Sequence, residues 1–183
     1  MDRCDGTYVA FHANGTNIPV DSDIKYYNLL MAWTNRPGDD FYMVNSHAKT
    51  SAVRDTSLRE TLERRLVRRL RLSTNMVLIL GPSTFINDDL LRLEIEYAVD
   101  VREMPLIIAY TGYELIDRPD LLSHLWPDAL AERIDTGAVR AIHVPFKKEP
   151  LKAAIREFSL KYRPRWSLTI YTDAEYRRFG ILA

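Results

Sequence analysis

The segment Asn75–Leu80 (NMVLIL) is an apolar run without alternation, closed by Gly81-Pro82. A strand that faces water on one side alternates polar and apolar residues, whereas a continuous run needs cover on both faces. The interior of a parallel sheet with helices packed on each side meets that need. The rest of the chain keeps the same rhythm, with short β-rich runs alternating with helical patterns, as in successive βαβ units.

Thr7–His12 (TYVAFH) predicts the first strand, and a loop rich in Asn, Gly, Pro and Asp leads to a helix from about Asp23 to Thr34. Phe41–Ser46 (FYMVNS) predicts the second strand. Beyond the polar loop HAKTSAVRDT, Ser57 and Glu60 form an S-x-x-E capping box. The helix it opens carries Leu58, Leu62, Leu66 and Leu70 on one stripe, with Arg59, Arg64, Arg65, Arg68, Arg69 and Arg71 on the other faces.

After the third strand, Asn87, Asp88 and Asp89 suit the first turn of a helix that runs to about Glu103. Pro105 opens a fourth strand, PLIIAY. Residues 111–137 read as irregular and partly helical, anchored by Trp126. A fifth strand, Val139–Val144, precedes a helix from about Glu149 to Tyr162.

Five strands with intervening helices predict an α/β, flavodoxin-like three-layer fold: a parallel sheet of order 2-1-3-4-5 with helices on both faces. The first and third strands are expected to be adjacent at the centre. One domain would span residues 1–163, with residues 164–183 as a C-terminal extension packed on it. Ligands of such sheets bind beyond the carboxyl ends of the strands where the winding reverses, here between the first and third.

The 183 residues suffice for one substantial core and not comfortably for two. Lysine plus arginine and aspartate plus glutamate balance at 25 each, which leaves no overall electrostatic footprint for nucleic acid or an anionic membrane. The arginine-rich helix then reads as a solvated face. A single cysteine, Cys4, allows no intramolecular disulfide and no thiolate metal site, and it fits a reducing compartment. MDRCDGTYVAFH lacks the pattern of a signal peptide, and no apolar stretch approaches the roughly 18 residues that span a bilayer. A cytoplasmic protein is expected.

Glu94 is the residue most suggestive of chemistry. On a helix it shares a face with Leu90, Leu91, Tyr97 and Ala98, so a carboxylate sits on an apolar stripe, where burial costs free energy unless something compensates. The same position also suits a carboxylate that reaches water or a loop amide from the stripe's edge. Glu96 contrasts with it, because its helical neighbours Arg92 and Asp100 make it a solvated partner of Arg92. Around the expected crevice fall Phe11, His12 and Asn14 after the first strand, Asn45 and His47 after the second, and Ser83 after the third. They are the candidate substrate-binding residues. No glycine-rich phosphate loop, P-loop lysine or G-x-S-x-G elbow occurs. His12, His47, His124 and His143 show no metal-ligand spacing, and His143 reads as a core histidine.

Taken in order, YVAFHANGTNIPVDSDIKYYNLLMAW, FYMVNSHAKTSAVRDTSLRETLERRLVRRL, NMVLILGPST and LLRLEIEYAVDVREMPLIIAY resemble bacterial TIR-like domains, most closely those of the ThsB family of Thoeris antiphage-defence proteins. The strand-and-loop start AFHANG, VRDTS before a basic helix, and the strand ending LILGPST carry the resemblance. So does Arg92-Leu93-Glu94-Ile95, set against an Arg-aromatic-Glu-Ile pattern in which Trp is common where Leu93 stands.

The resemblance implies cleavage of the nicotinamide–ribose bond of NAD, with Glu94 as the catalytic residue. NAD would be the substrate, with no cofactor and no metal. The ADP-ribose part would become a signal nucleotide that activates an effector protein, and a homo-oligomer is expected. A non-catalytic TIR-like adaptor acting by homotypic assembly is the alternative, and a nucleoside deoxyribosyltransferase-like enzyme a third. Glu94 discriminates between enzyme and adaptor, because assembly needs no carboxylate on an apolar stripe.

Overall fold

The computed structural model describes residues 6–11, 24–34, 43–44, 56–82 and 89–183. Its elements run β1 (Gly6–Ala10), α1 (Ile24–Thr34), β2 (Met43–Val44), α2 (Thr56–Arg71), β3 (Ser73–Leu80), α3 (Asp89–Glu96), β4 (Leu106–Tyr110), α4 (Asp128–Asp135), β5 (Ala141–Pro145), α5 (Lys148–Glu157), β6 (Thr169–Ile170) and α6 (Asp173–Arg178). The strands form one parallel sheet in the order β2-β1-β3-β4-β5-β6. The expected 2-1-3-4-5 order holds, with β1 and β3 adjacent and parallel, and the sheet gains a sixth strand from the tail.

The apolar run does what its composition requires. Met76 through Leu80 have no exposed surface, and the period-two alternation of strand side chains divides them between two layers. Met76, Leu78 and Leu80 join Tyr8, Leu106, Ile108 and Tyr110 against Leu66 and Leu70 of α2, Leu91 and Ile95 of α3, and Leu130 of α4. Val77 and Ile79 join Val9, Ile107 and Val144 against Leu30 of α1, Leu151 of α5 and Tyr176 of α6. The sheet is thus covered by α2, α3 and α4 on one face and by α1, α5 and α6 on the other.

Three local features depart from the sequence reading. The helix expected to reach Glu103 is α-helical only to Glu96 and then widens into a π-turn, Tyr97–Val101, in which the Arg102 amide reaches the Tyr97 carbonyl at 3.1 Å. The extra residue lets the consecutive apolar pair Ala98 and Val99 both face the core, while Asp100 turns out to pair with Arg133 of α4, whose Nε lies 2.9 Å from Oδ1. Glu103 then closes the helix at φ 50, a left-handed role usually given to glycine.

The helix expected to reach Tyr162 ends at Glu157. Buried Asn75 of β3 donates its amide to the carbonyls of Ile155 and Phe158 at 3.1 and 2.6 Å, so the helix end is satisfied from the sheet.

The third is the strand count, because the tail adds a sixth strand to the five expected. Residues 169–170 pair with Ile142 and His143 of β5, and α6 opens with a capping box between Thr172 and Glu175. Tyr176, 1% exposed, exchanges hydrogen bonds with the backbone of Ile116 at 3.1 and 3.2 Å.

Candidate active site

The winding reverses between β1 and β3, and α3 brings Glu94 against β1. Leu91 and Ile95 bury the helix against the sheet, which sets the rotation of the residues between them. Glu94 lies half-buried on the inner side. Its Oε1 accepts a 2.5 Å hydrogen bond from the hydroxyl of Tyr8, which stands on β1 and has no exposed surface. Burial pushes the Tyr8 hydroxyl well above its usual range, and the negative charge and hydrogen bond of Glu94 push it the same way. Tyr8 is therefore a neutral donor to the carboxylate. Glu96, two residues on, points elsewhere: Arg92 Nε donates to its Oε1 at 2.8 Å, the solvated i,i+4 pair the spacing predicted.

Phe11 follows β1 at its carboxyl end, 5% exposed, with its ring 5.2 Å from that of Tyr27. Strand alternation puts it with α1, on the opposite face of the sheet from Tyr8 and Glu94. Phe11 thus packs on the α1 face of the sheet, and Glu94 lies on the α3 face. His12, Asn14, Asn45, His47 and Ser83 lie outside the described residues. Among the described residues, one cleft of about 220 Å³ is lined by Val99, Glu103, Met104, Ala138, Arg140 and Arg163. It opens beside the residues that precede β4 and β5, at the amino ends of the strands and away from Glu94.

A family model described as the Thoeris protein ThsB, TIR-like domain, matches residues 8–114, more than half of the chain. The chain belongs to the ThsB TIR-like family. The ThsB match begins at Tyr8 and extends past β4, so it takes in both partners of the Tyr8–Glu94 bond and the whole of the winding reversal. The segments that complete the other half of the sheet, α4, β5, α5, β6 and α6, follow the matched region.

Tyr8 is the member of this site that sequence reading missed. The signal was available: Tyr8 shares a strand face with Ala10, and a tyrosine buried on a central strand must find a partner for its hydroxyl. What spacing along one element does not reveal is which side chain from another element supplies it.

The second buried polar group on this face is His143 of β5, as expected of a core histidine. Trp126 Nε1 donates to the Tyr110 hydroxyl at 2.7 Å, Tyr110 donates to His143 Nδ1 at 2.8 Å, and His143 Nε2 donates to the Ser167 carbonyl at 2.9 Å. Because a carbonyl only accepts, Nε2 carries a proton, and in the neutral imidazole that burial favours Nδ1 accepts from Tyr110. Burial lowers the His143 pKa to about 4, with the Ser167 bond opposing the shift. Among the described residues, no cluster of His, Cys, Asp and Glu could hold a metal, and no helix is long and apolar enough to cross a membrane.

Proposed function

We propose that this ThsB-family domain is an NAD-consuming enzyme that cleaves the nicotinamide–ribose bond, with Glu94 as its catalytic residue. The observation that carries the reading is a carboxylate drawn onto the apolar face of α3 and held there by a buried hydroxyl 2.5 Å away, while its neighbour Glu96 is tied to Arg92. Taking a carboxylate out of water costs free energy, and a purely packed helix face is better served by an apolar residue.

The chemistry asks little more of the protein. When the C1′–N bond breaks, its electron pair goes to the nicotinamide ring, which changes from a pyridinium to a neutral leaving group. No general acid has to protonate it. The ribose is left as an oxocarbenium-like cation, and the negative charge of Glu94 stabilises that cation. Water, or a hydroxyl or ring nitrogen of the nucleotide itself, then adds to C1′; a neutral oxygen nucleophile gives up its proton. The ADP-ribose part would serve as a signal nucleotide for an effector protein.

The test is incubation of the purified domain with NAD and chromatographic separation of the products. Nicotinamide should appear in step with loss of NAD, and the Glu94→Gln variant should release it at least about 100-fold more slowly. A Glu94→Gln variant as fast as wild type would overturn the assignment.

A further inference from the structure

We propose that Tyr8 is a positioning residue for Glu94: its hydroxyl, fixed at the buried centre of β1, holds one carboxylate oxygen and so sets the orientation in which Glu94 meets the ribose. The proposal rests on the reading of Glu94 given above.

A glutamate side chain on a helix has three rotatable bonds and several staggered arrangements to choose from. Tyr8 removes that choice. Its backbone is locked by parallel pairing on both sides, opposite Val44 of β2 and Met76 of β3, and its ring is fully buried. The hydroxyl therefore has one place to be. At 2.5 Å the bond is at the short, strong end of hydroxyl–carboxylate hydrogen bonds.

The donor also keeps its proton. Burial and the charge of Glu94 hold the Tyr8 hydroxyl well above its usual range; Arg69 of α2 acts in the opposite direction, and Tyr27 of α1 adds slightly to the rise. Two other buried tyrosines of this chain are satisfied without a charge, Tyr176 by the backbone of Ile116 and Tyr110 by Trp126 and His143, whereas Tyr171 donates to the Glu157 carboxylate at 3.2 Å. A hydroxyl that needed only a partner had neutral solutions available. What sets Tyr8 apart from Tyr171 is full burial on a central strand and a much shorter bond, 2.5 Å against 3.2 Å.

The experiment compares wild type, Tyr8→Phe, Glu94→Gln and the double variant in NAD turnover, alongside a titration of the Glu94 carboxyl carbon by NMR, assigned by its disappearance in Glu94→Gln. Tyr8→Phe keeps the ring and loses only the hydroxyl. It should lower kcat by about 10- to 100-fold with KM within about twofold. The acid limb of its pH profile should move to higher pH, because a carboxylate that loses a donor holds its proton longer. The double variant should be no slower than Glu94→Gln.

Wild-type kcat and an unmoved acid limb in Tyr8→Phe, with Glu94→Gln inactive, would overturn the positioning role and leave the proposed activity standing. An active Glu94→Gln would overturn both. The NMR titration needs no turnover: a Glu94 midpoint unchanged in Tyr8→Phe refutes the bond by itself. Should Tyr8→Phe not fold, Tyr8→3-fluorotyrosine keeps the packing and strengthens the donor. It should shift the Glu94 midpoint downward, and no shift counts against the proposal.

Discussion

Tyr8 on β1 and Tyr110 on β4 are both fully buried and both project into the layer formed by α2, α3 and α4. Their surroundings differ in one respect. The Tyr110 hydroxyl sits inside a neutral chain that begins at an indole and ends at a backbone carbonyl, with each proton accounted for. The Tyr8 hydroxyl ends on an anion. A closed neutral chain ties elements together, here β4, β5, the segment before α4 and the tail. A half-buried anion suits a cation, and under the proposed function the nicotinamide nucleotide would supply one as its glycosidic bond breaks. On that proposal, two tyrosines of equal burial mark a structural region and a chemical one.

The comparison breaks most clearly at Glu94. Glu94→Gln should cost at least about 100-fold in NAD cleavage while stability changes by no more than about 1 kcal/mol, since the amide oxygen still accepts from Tyr8. Turnover and urea denaturation on the same preparation measure both. A large loss of stability would place Glu94 with the structural region instead.

The next largest effect belongs to His143 and to pH. An unfolded histidine takes up a proton below about 6.5, whereas burial holds the folded His143 pKa at about 4. Between those values the unfolded chain binds a proton that the folded chain refuses. Stability is therefore full above pH 6.5 and falls as pH drops toward 4, by on the order of 3 kcal/mol. Denaturation curves at pH 7 and pH 4 should show this loss in wild type and not in His143→Gln.

Tyr110→Phe should leave the Trp126 indole and His143 Nδ1 buried without their shared partner and cost about 2 kcal/mol, with NAD turnover unchanged. That outcome is the reverse of the one expected for Tyr8→Phe. The smallest effect is that of Glu96→Gln, which loses an exposed pair with Arg92 and should match wild type in both turnover and thermal midpoint. Loss of turnover in that variant would mean that the catalytic face of α3 is the Glu96 face.

The parts of this structure that were legible in the sequence are those governed by one element's own periodicity. The β3 run announced a covered central strand, and the stripe of α3 separated Glu94 from Glu96 before any contact was known. What escaped depended on contacts between elements. The strand β6 is two half-exposed residues held by β5, too short to show a period. The Tyr8–Glu94 bond joins residues 86 positions apart. The end of α5 is decided by Asn75, whose amide belongs to another strand. The π-turn escaped because Tyr97, Ala98 and Val99 fit an α-helical stripe nearly as well as a π one.

That π-turn has a bearing on how chains of this family are lined up against one another. A π-turn is an α-helix carrying one residue more than its turn needs. Here the surplus falls within Tyr97–Val101, just after Glu94 and just before the chain enters β4. A relative without it would keep Glu94 and Met104 at equivalent places in space while being one residue shorter between them. An alignment that forbids a gap there would then place one of the two landmarks wrongly, so a gap of one residue between Tyr97 and Val101 is the expected mark of a relative whose helix runs straight.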